Sequence, residues 1–140
     1  MRAVREQLWL PPNVTDHCYD PFVAELSEEP EAADFVICTD VMEHVEPQCT
    51  AAVLDHIAAL TKVLVLFSIS FREANKVLAD WRNAHINLRP PEYWLREIKK
   101  RFIVSEARVH GDEVIMLIAQ SIEAVKLKLR SLKNERRIAA

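Results

Sequence analysis

The chain has 140 residues, half of them hydrophobic, and a formal net charge of −3. That length suits one domain with a sizeable core, and no apolar run approaches the ~20 residues of a transmembrane helix. The charged first ten residues lack the apolar centre of a secretory signal, and the three cysteines lack paired metal-site spacing, so the expectation is a cytoplasmic protein with reduced thiols and no membrane partner.

In chain order, Val4, Leu8 and Leu10 fall on one side of residues 1–10, which predicts a short helix ending before Pro11 and Pro12. Residues 13–18 read as a weak strand. Tyr19-Asp20-Pro21 reads as a turn, with Asp20 placed either to accept from ribose hydroxyls or simply to shape the turn. Residues 25–33 form an acidic connector. The run Phe35-Val36-Ile37-Cys38 is apolar throughout and β-branched at its centre, as in a strand buried on both faces, and it ends at Thr39 and Asp40. Residues 48–61 predict a helix with an apolar stripe of Ala52, Leu54, Ile57, Ala58 and Leu60. Residues 63–67 predict a second buried strand that Ser68 to Ser70 bring to an end.

A short helix or turn is expected over 73–78, a loop over 80–91 and a helix over 92–101 carrying Trp94, Leu95 and Ile98. Two strands, 102–109 and 113–119, follow around the turn His110-Gly111-Asp112. Residues 121–137 read as a basic helix with Ile122, Val125, Leu129 and Leu132 at heptad-like spacing. Strands alternating with helices imply an α/β fold, with parallel strands closed by an antiparallel hairpin and helices on both faces. The division is a domain over 1–120 and a basic C-terminal helix over 121–140.

Charge is uneven: no Lys or Arg lies between Arg5 and Lys62, whereas the last twenty residues carry six. One acidic end and one basic tail are expected. A nucleic-acid partner is the weaker reading of the tail, because it is a single helix on a net-negative chain. There is one glycine, Gly111. A loop that cradles phosphate or sulfonium through close backbone approach needs several, so this sequence contains none.

The chemistry concentrates in Asp40, Glu43 and His44, which fall within five residues just past the end of a buried strand, where open α/β sheets bind ligands. Three uses are open. The segment could line a cofactor site. It could hold a divalent metal, oxygen ligands suiting Mg²⁺ and added imidazole suiting Mn²⁺ or Zn²⁺. A histidine, His44 or the later His85, could serve as a general base. His17, His56 and His110 have no acidic or histidine partner at ligand spacing and are assigned to surface or packing. Trp81 and Trp94 are assigned to packing or to a substrate mouth.

The segment DVMEHV (40–45) resembles the element that follows the fourth strand in class I S-adenosylmethionine-dependent methyltransferases. WRNAH (81–85) and PPEYWL (90–95) are similar to a phage-type branch of that family. The resemblance covers most of residues 13–120. It implies a Rossmann-like sheet of order 3-2-1-4-5-7-6, of which the first strand and its glycine loop have no counterpart in this sequence. It implies S-adenosylmethionine as cofactor, with Asp20, Cys38, Thr39, Asp40 and Met42 on the cofactor side. By likeness to small-RNA 2′-O-methyltransferases it also implies a metal set of Asp40, Glu43, His44 and His85, with His44 and His85 as the catalytic histidines. Two functions follow: a methyltransferase of unknown acceptor, weak in isolation for lack of the glycine loop, or a non-catalytic binding or assembly module derived from one. Either leaves the 35–38 strand without its usual neighbour, so a homodimer or a partner chain that supplies a strand is expected.

Overall fold

The computed structural model describes residues 14–110, 114–122 and 126, and for 114–119 the backbone alone. The chain divides into two units, Met1–Glu31 and Ala32–Ala140. In the first, residues 14–20 have no regular structure, so the expected strand over 13–18 does not form in its described part. Its polar, unalternating sequence supplies neither a partner nor an apolar face to hold a strand. The turn does form. Asp20 Oδ1 accepts the Phe22 N–H at 2.9 Å, and a single turn of 3₁₀ helix, Ala24–Leu26, follows inside the expected connector.

The second unit holds a four-stranded sheet. Its strands are β1 (Ala33–Thr39), β2 (Thr61–Ser70), β3 (Phe102–His110) and β4 (Val114–Ser121), in the order β1-β2-β4-β3. The β1–β2 pair is parallel and both pairs involving β4 are antiparallel. A parallel pair needs a crossover, and α1 (Thr50–Leu60) provides it. Between β2 and β3 lies α2 (Pro91–Lys99), which starts with Pro91 where a missing N–H costs nothing and ends with Arg96 and Lys99 against its carbonyl end. The order matches the 4-5-7-6 portion of the sheet that the resemblance implies.

One core joins these pieces. Val65, Phe67 and Ile69 alternate along β2 and are fully buried with Cys38 of β1, Leu54 and Ile57 of α1, Trp94 and Ile98 of α2, and Phe102 of β3. Trp94 is therefore a packing residue. α1 buries Leu54 and Ile57, and α2 buries Trp94 and Ile98, in this one cluster with the same side of β2, so both described helices share one face of the sheet. On the other face of β1, Phe35 and Ile37 remain 50% and 40% exposed. The strand predicted to be buried on both faces is thus covered on one. It is also an edge strand among the described residues, pairing only with β2.

Two other expectations change. Of the helix or turn expected over 73–78 no helix forms: Val77 bridges Asn83, Ala84 N–H donates to Lys76 O at 2.9 Å and Leu78 N–H to Arg82 O at 2.8 Å, making a small hairpin that runs into the expected loop. Asn83 draws the chain back on itself. Its Oδ1 accepts the N–H groups of Ala74 and His85, and its Nδ2 donates to Ala74 O. Ser68 to Ser70 do not end β2 but continue it to Ser70, paired with β4. At the other end of the chain β4 runs through Ser121. Of the helix expected over 121–137, Ser121 belongs instead to β4 and only Ile122 and Lys126 are otherwise described; the rest of it and the helix over 1–10 lie outside the described residues.

Candidate functional site

The site forms at the C-terminal ends of the parallel pair. β1 stops at Thr39, and Asp40 takes φ 53°, a left-handed value that Asp tolerates better than most residues. Its N–H still pairs with Ser68 O of β2 at 3.0 Å. One turn of 3₁₀ helix, Met42–His44, follows and sends its three side chains to different places. Met42 enters the core with no exposed surface. Glu43 is also fully buried: its Oε1 accepts Ser70 N–H at 3.0 Å, and its backbone carbonyl accepts Asn87 N–H at 3.0 Å. His44 faces outward.

His44 and His85 meet. Their rings lie 4.8 Å apart, edge to face. His44 Nδ1 is 2.8 Å from Ala84 O, and His85 Nδ1 is 2.7 Å from Arg72 O. A carbonyl oxygen only accepts, so each Nδ1 carries the hydrogen. In the neutral rings the lone pair is then on Nε2. Sequence spacing alone does not reveal this pairing, since forty-one positions separate the two histidines. The 74–85 hairpin, closed by Asn83, brings His85 to His44.

The other proposed ligands are not placed with them. Glu43 points into the core toward the end of β2, and among the described residues no three His, Cys, Asp or Glu side chains form a group able to hold a metal. Glu43 is turned into the core onto Ser70 N–H, while His44 is exposed and bonded to Ala84 O. The four residues do not fit the expected metal, and no metal chemistry follows here.

Of the cofactor-side residues, Thr39 and Asp40 are exposed at the strand end, whereas Cys38 and Met42 are buried in the core. Burial, then the Glu43 charge, push the Cys38 thiol up to about 12. Val41, 44% exposed beside Asp40, is an apolar surface that the sequence reading passed over in favour of Met42. A 3.6-residue or period-2 pattern is too coarse to tell the two apart at a turn. Asp20 belongs to the first unit, where its carboxylate serves the turn. The hairpin tip carries Trp81, 89% exposed and at φ 68°. Beside it Arg82 bonds Glu46 and Asp80, whose hydrogen bonds hold its guanidinium more firmly protonated than usual.

No family profile and no curated protein matches the chain. Solved structures do. The PH0226 protein from Pyrococcus horikoshii OT3 aligns over 86% of this chain and 64% of its own, at 14% identity and a TM-score of 0.55. The likeness is one of fold. Weaker matches include the N-methyltransferase NodS from Bradyrhizobium japonicum WM9, solved with S-adenosyl-L-homocysteine, at 13% identity over 67% of this chain and 48% of that one, TM-score 0.48. The 1,6-didemethyltoxoflavin-N1-methyltransferase from Burkholderia thailandensis, solved with 1,6-didemethyltoxoflavin and S-adenosylhomocysteine, matches at 17% identity over 66% and 46%, TM-score 0.48. The chain thus spans about half to two thirds of the length of these proteins.

Proposed function

We propose that this chain is part of an S-adenosylmethionine-dependent methyltransferase-like domain, and that His44 and His85 face the methyl acceptor. The supporting observation is the position of DVMEHV: it leaves the C-terminal end of a parallel strand, beside the end of its parallel neighbour, in a sheet ordered like the 4-5-7-6 half of that fold. The exposed groups there suit an adenosyl sulfonium, with the Thr39 hydroxyl and Asp40 carboxylate for its polar atoms and Val41 for an apolar contact. S-adenosylmethionine, when bound, supplies an activated methyl group. The histidines' part is proton transfer and positioning. With Nδ1–H committed to a backbone carbonyl, a neutral His44 or His85 would offer Nε2 to take the acceptor's proton.

Binding by this chain alone should be weak, in the high micromolar range or above, because the sequence holds one glycine and no close-approach loop. The test is a titration with S-adenosylhomocysteine to millimolar concentration, followed by backbone amide shifts. Shifts at residues 39–42 that saturate in that range support the reading. No shift there at the solubility limit rejects the site, and calorimetry giving a low-micromolar constant rejects the argument from glycine.

A further inference from the structure

Glu43 is the best-buried acid of the described chain, yet it is not part of any metal group and does not face the histidines' side of the turn. Three segments converge on it. It belongs to the turn after β1. Its side chain accepts Ser70 N–H at the last residue of β2, and its main-chain carbonyl accepts Asn87 N–H, two residues past His85. Its immediate neighbour His44 is bonded through Nδ1 to Ala84 O, one residue before His85. Asn87 is itself fixed, 1% exposed, with Nδ2 donating to Thr50 Oγ1 at the first residue of α1. Glu43 Oε2, Ser70 Oγ and Asn87 Oδ1 are buried without hydrogen-bond partners.

A carboxyl group buried with one oxygen unpartnered is expensive to keep. An apolar side chain of the same size would fill the space at lower cost. What such a side chain could not do is anchor the turn to the end of β2. The two histidines sit on separate pieces of chain, 44 on the turn and 85 after the hairpin. Their 4.8 Å approach depends on how those pieces are held against β2.

We propose that Glu43 is a positioning residue: its bonds to Ser70 and Asn87 lock the turn after β1 to β2 and to the segment after the hairpin, and so set the approach of His44 to His85. This rests on geometry and not on the methyl-transfer reading, so it stands or falls separately.

The experiment compares Glu43→Gln and Glu43→Met in the full chain by NMR, reading the imidazole Nδ1–H signals and the His44–His85 ring cross-peak. Gln keeps an acceptor for Ser70 N–H, so E43Q should retain both Nδ1–H signals and the cross-peak. Met matches the volume without the acceptor, so E43M should lose the cross-peak and exchange its His44 Nδ1–H at least tenfold faster. Circular dichroism reports whether it stays folded. If E43M does not fold, Glu43→Asp, with the carboxylate drawn back by one methylene, is read in the same way and should lose the cross-peak. A folded E43M or E43D with the native cross-peak, or an E43Q without it, overturns the proposal.

Discussion

Cys38 shows how burial converts to pH dependence. Its folded pKa of about 12 lies above the ordinary value of 9.0, first through burial and then through the Glu43 charge. A raised folded pKa stabilises fully below the unfolded value, and that contribution is lost as pH rises toward the folded one. Between about pH 9 and 12 the unfolded thiol is ionised and the folded one is not, so Cys38 should cost roughly 1.4 kcal/mol of stability per pH unit in that window. Urea midpoints from pH 8 to 11 should fall more steeply for the native chain than for Cys38→Ala. Iodoacetamide at pH 8 should label exposed Cys49 and spare Cys38. Equal alkaline slopes in the two proteins would contradict this account. Trp81 makes the opposite case, a residue whose placement works against stability. Trp81 N–H bonds Leu78 O, Leu78 N–H bonds Arg82 O, and the residue after the turn takes a left-handed φ of 68°. That is the position glycine fills in three-residue hairpin loops, and a side chain there costs about 1–2 kcal/mol. Trp81→Gly should therefore raise the urea midpoint by an amount worth about 1 kcal/mol. A lower midpoint would mean that the exposed indole holds the hairpin together.

At the level of elements, α1 and α2 are tied at the surface by Arg101. Its guanidinium bonds the Asp55 carboxylate and Ala51 O of α1 and Glu97 O of α2, and the side chain is only 14% exposed. The Arg101 hydrogen bond, more than its charge, holds the Asp55 carboxyl below the usual carboxylate range. Arg101→Ala removes three contacts at a charged, largely buried group, so a loss of about 2 kcal/mol is expected in chemical denaturation. Asp55→Asn should cost much less, because Asp55 is mostly in water. Its effect should vanish as the pH falls below the range where the native carboxylate protonates. Equal losses from the two substitutions would show that the ion pair, and not the ties to Ala51 and Glu97, matters at this joint. Nothing local in the sequence signals this joint: forty-six positions separate Arg101 from Asp55, and no local period links them.

For the whole molecule the open question is how β1 meets its surroundings. It pairs only with β2 among the described residues, and it exposes Phe35 and Ile37 without Lys or Pro to discourage pairing. We expect the chain to associate through this edge, with a second copy or with a partner chain that adds a strand. Sedimentation at 10–300 µM (a range set on the order of typical weak dimers) should show mass rising with concentration, and Ile37→Lys should abolish the rise. A monomer throughout would mean that the edge is tolerated in water.

What was legible in the sequence was whatever local pattern controls. The apolar runs at 35–38 and 63–67, the helical stripes within 48–61 and 92–101, and the strand runs at 102–109 and 113–119 are each set by local pattern. The sheet's strands and both described helices follow from them. Tertiary structure decided what those patterns do not encode. It turned Glu43 inward onto Ser70 N–H and left His44 outward on Ala84 O, partners that lie twenty-seven and forty positions away. It decided between the helix and the turn expected over 73–78 in favour of a hairpin, in which Asn83 satisfies the Ala74 backbone nine positions away. It brought His85 to His44 and left the metal set unassembled. Contacts made across tens of residues depend on which partners the fold delivers, and no local sequence rule states that.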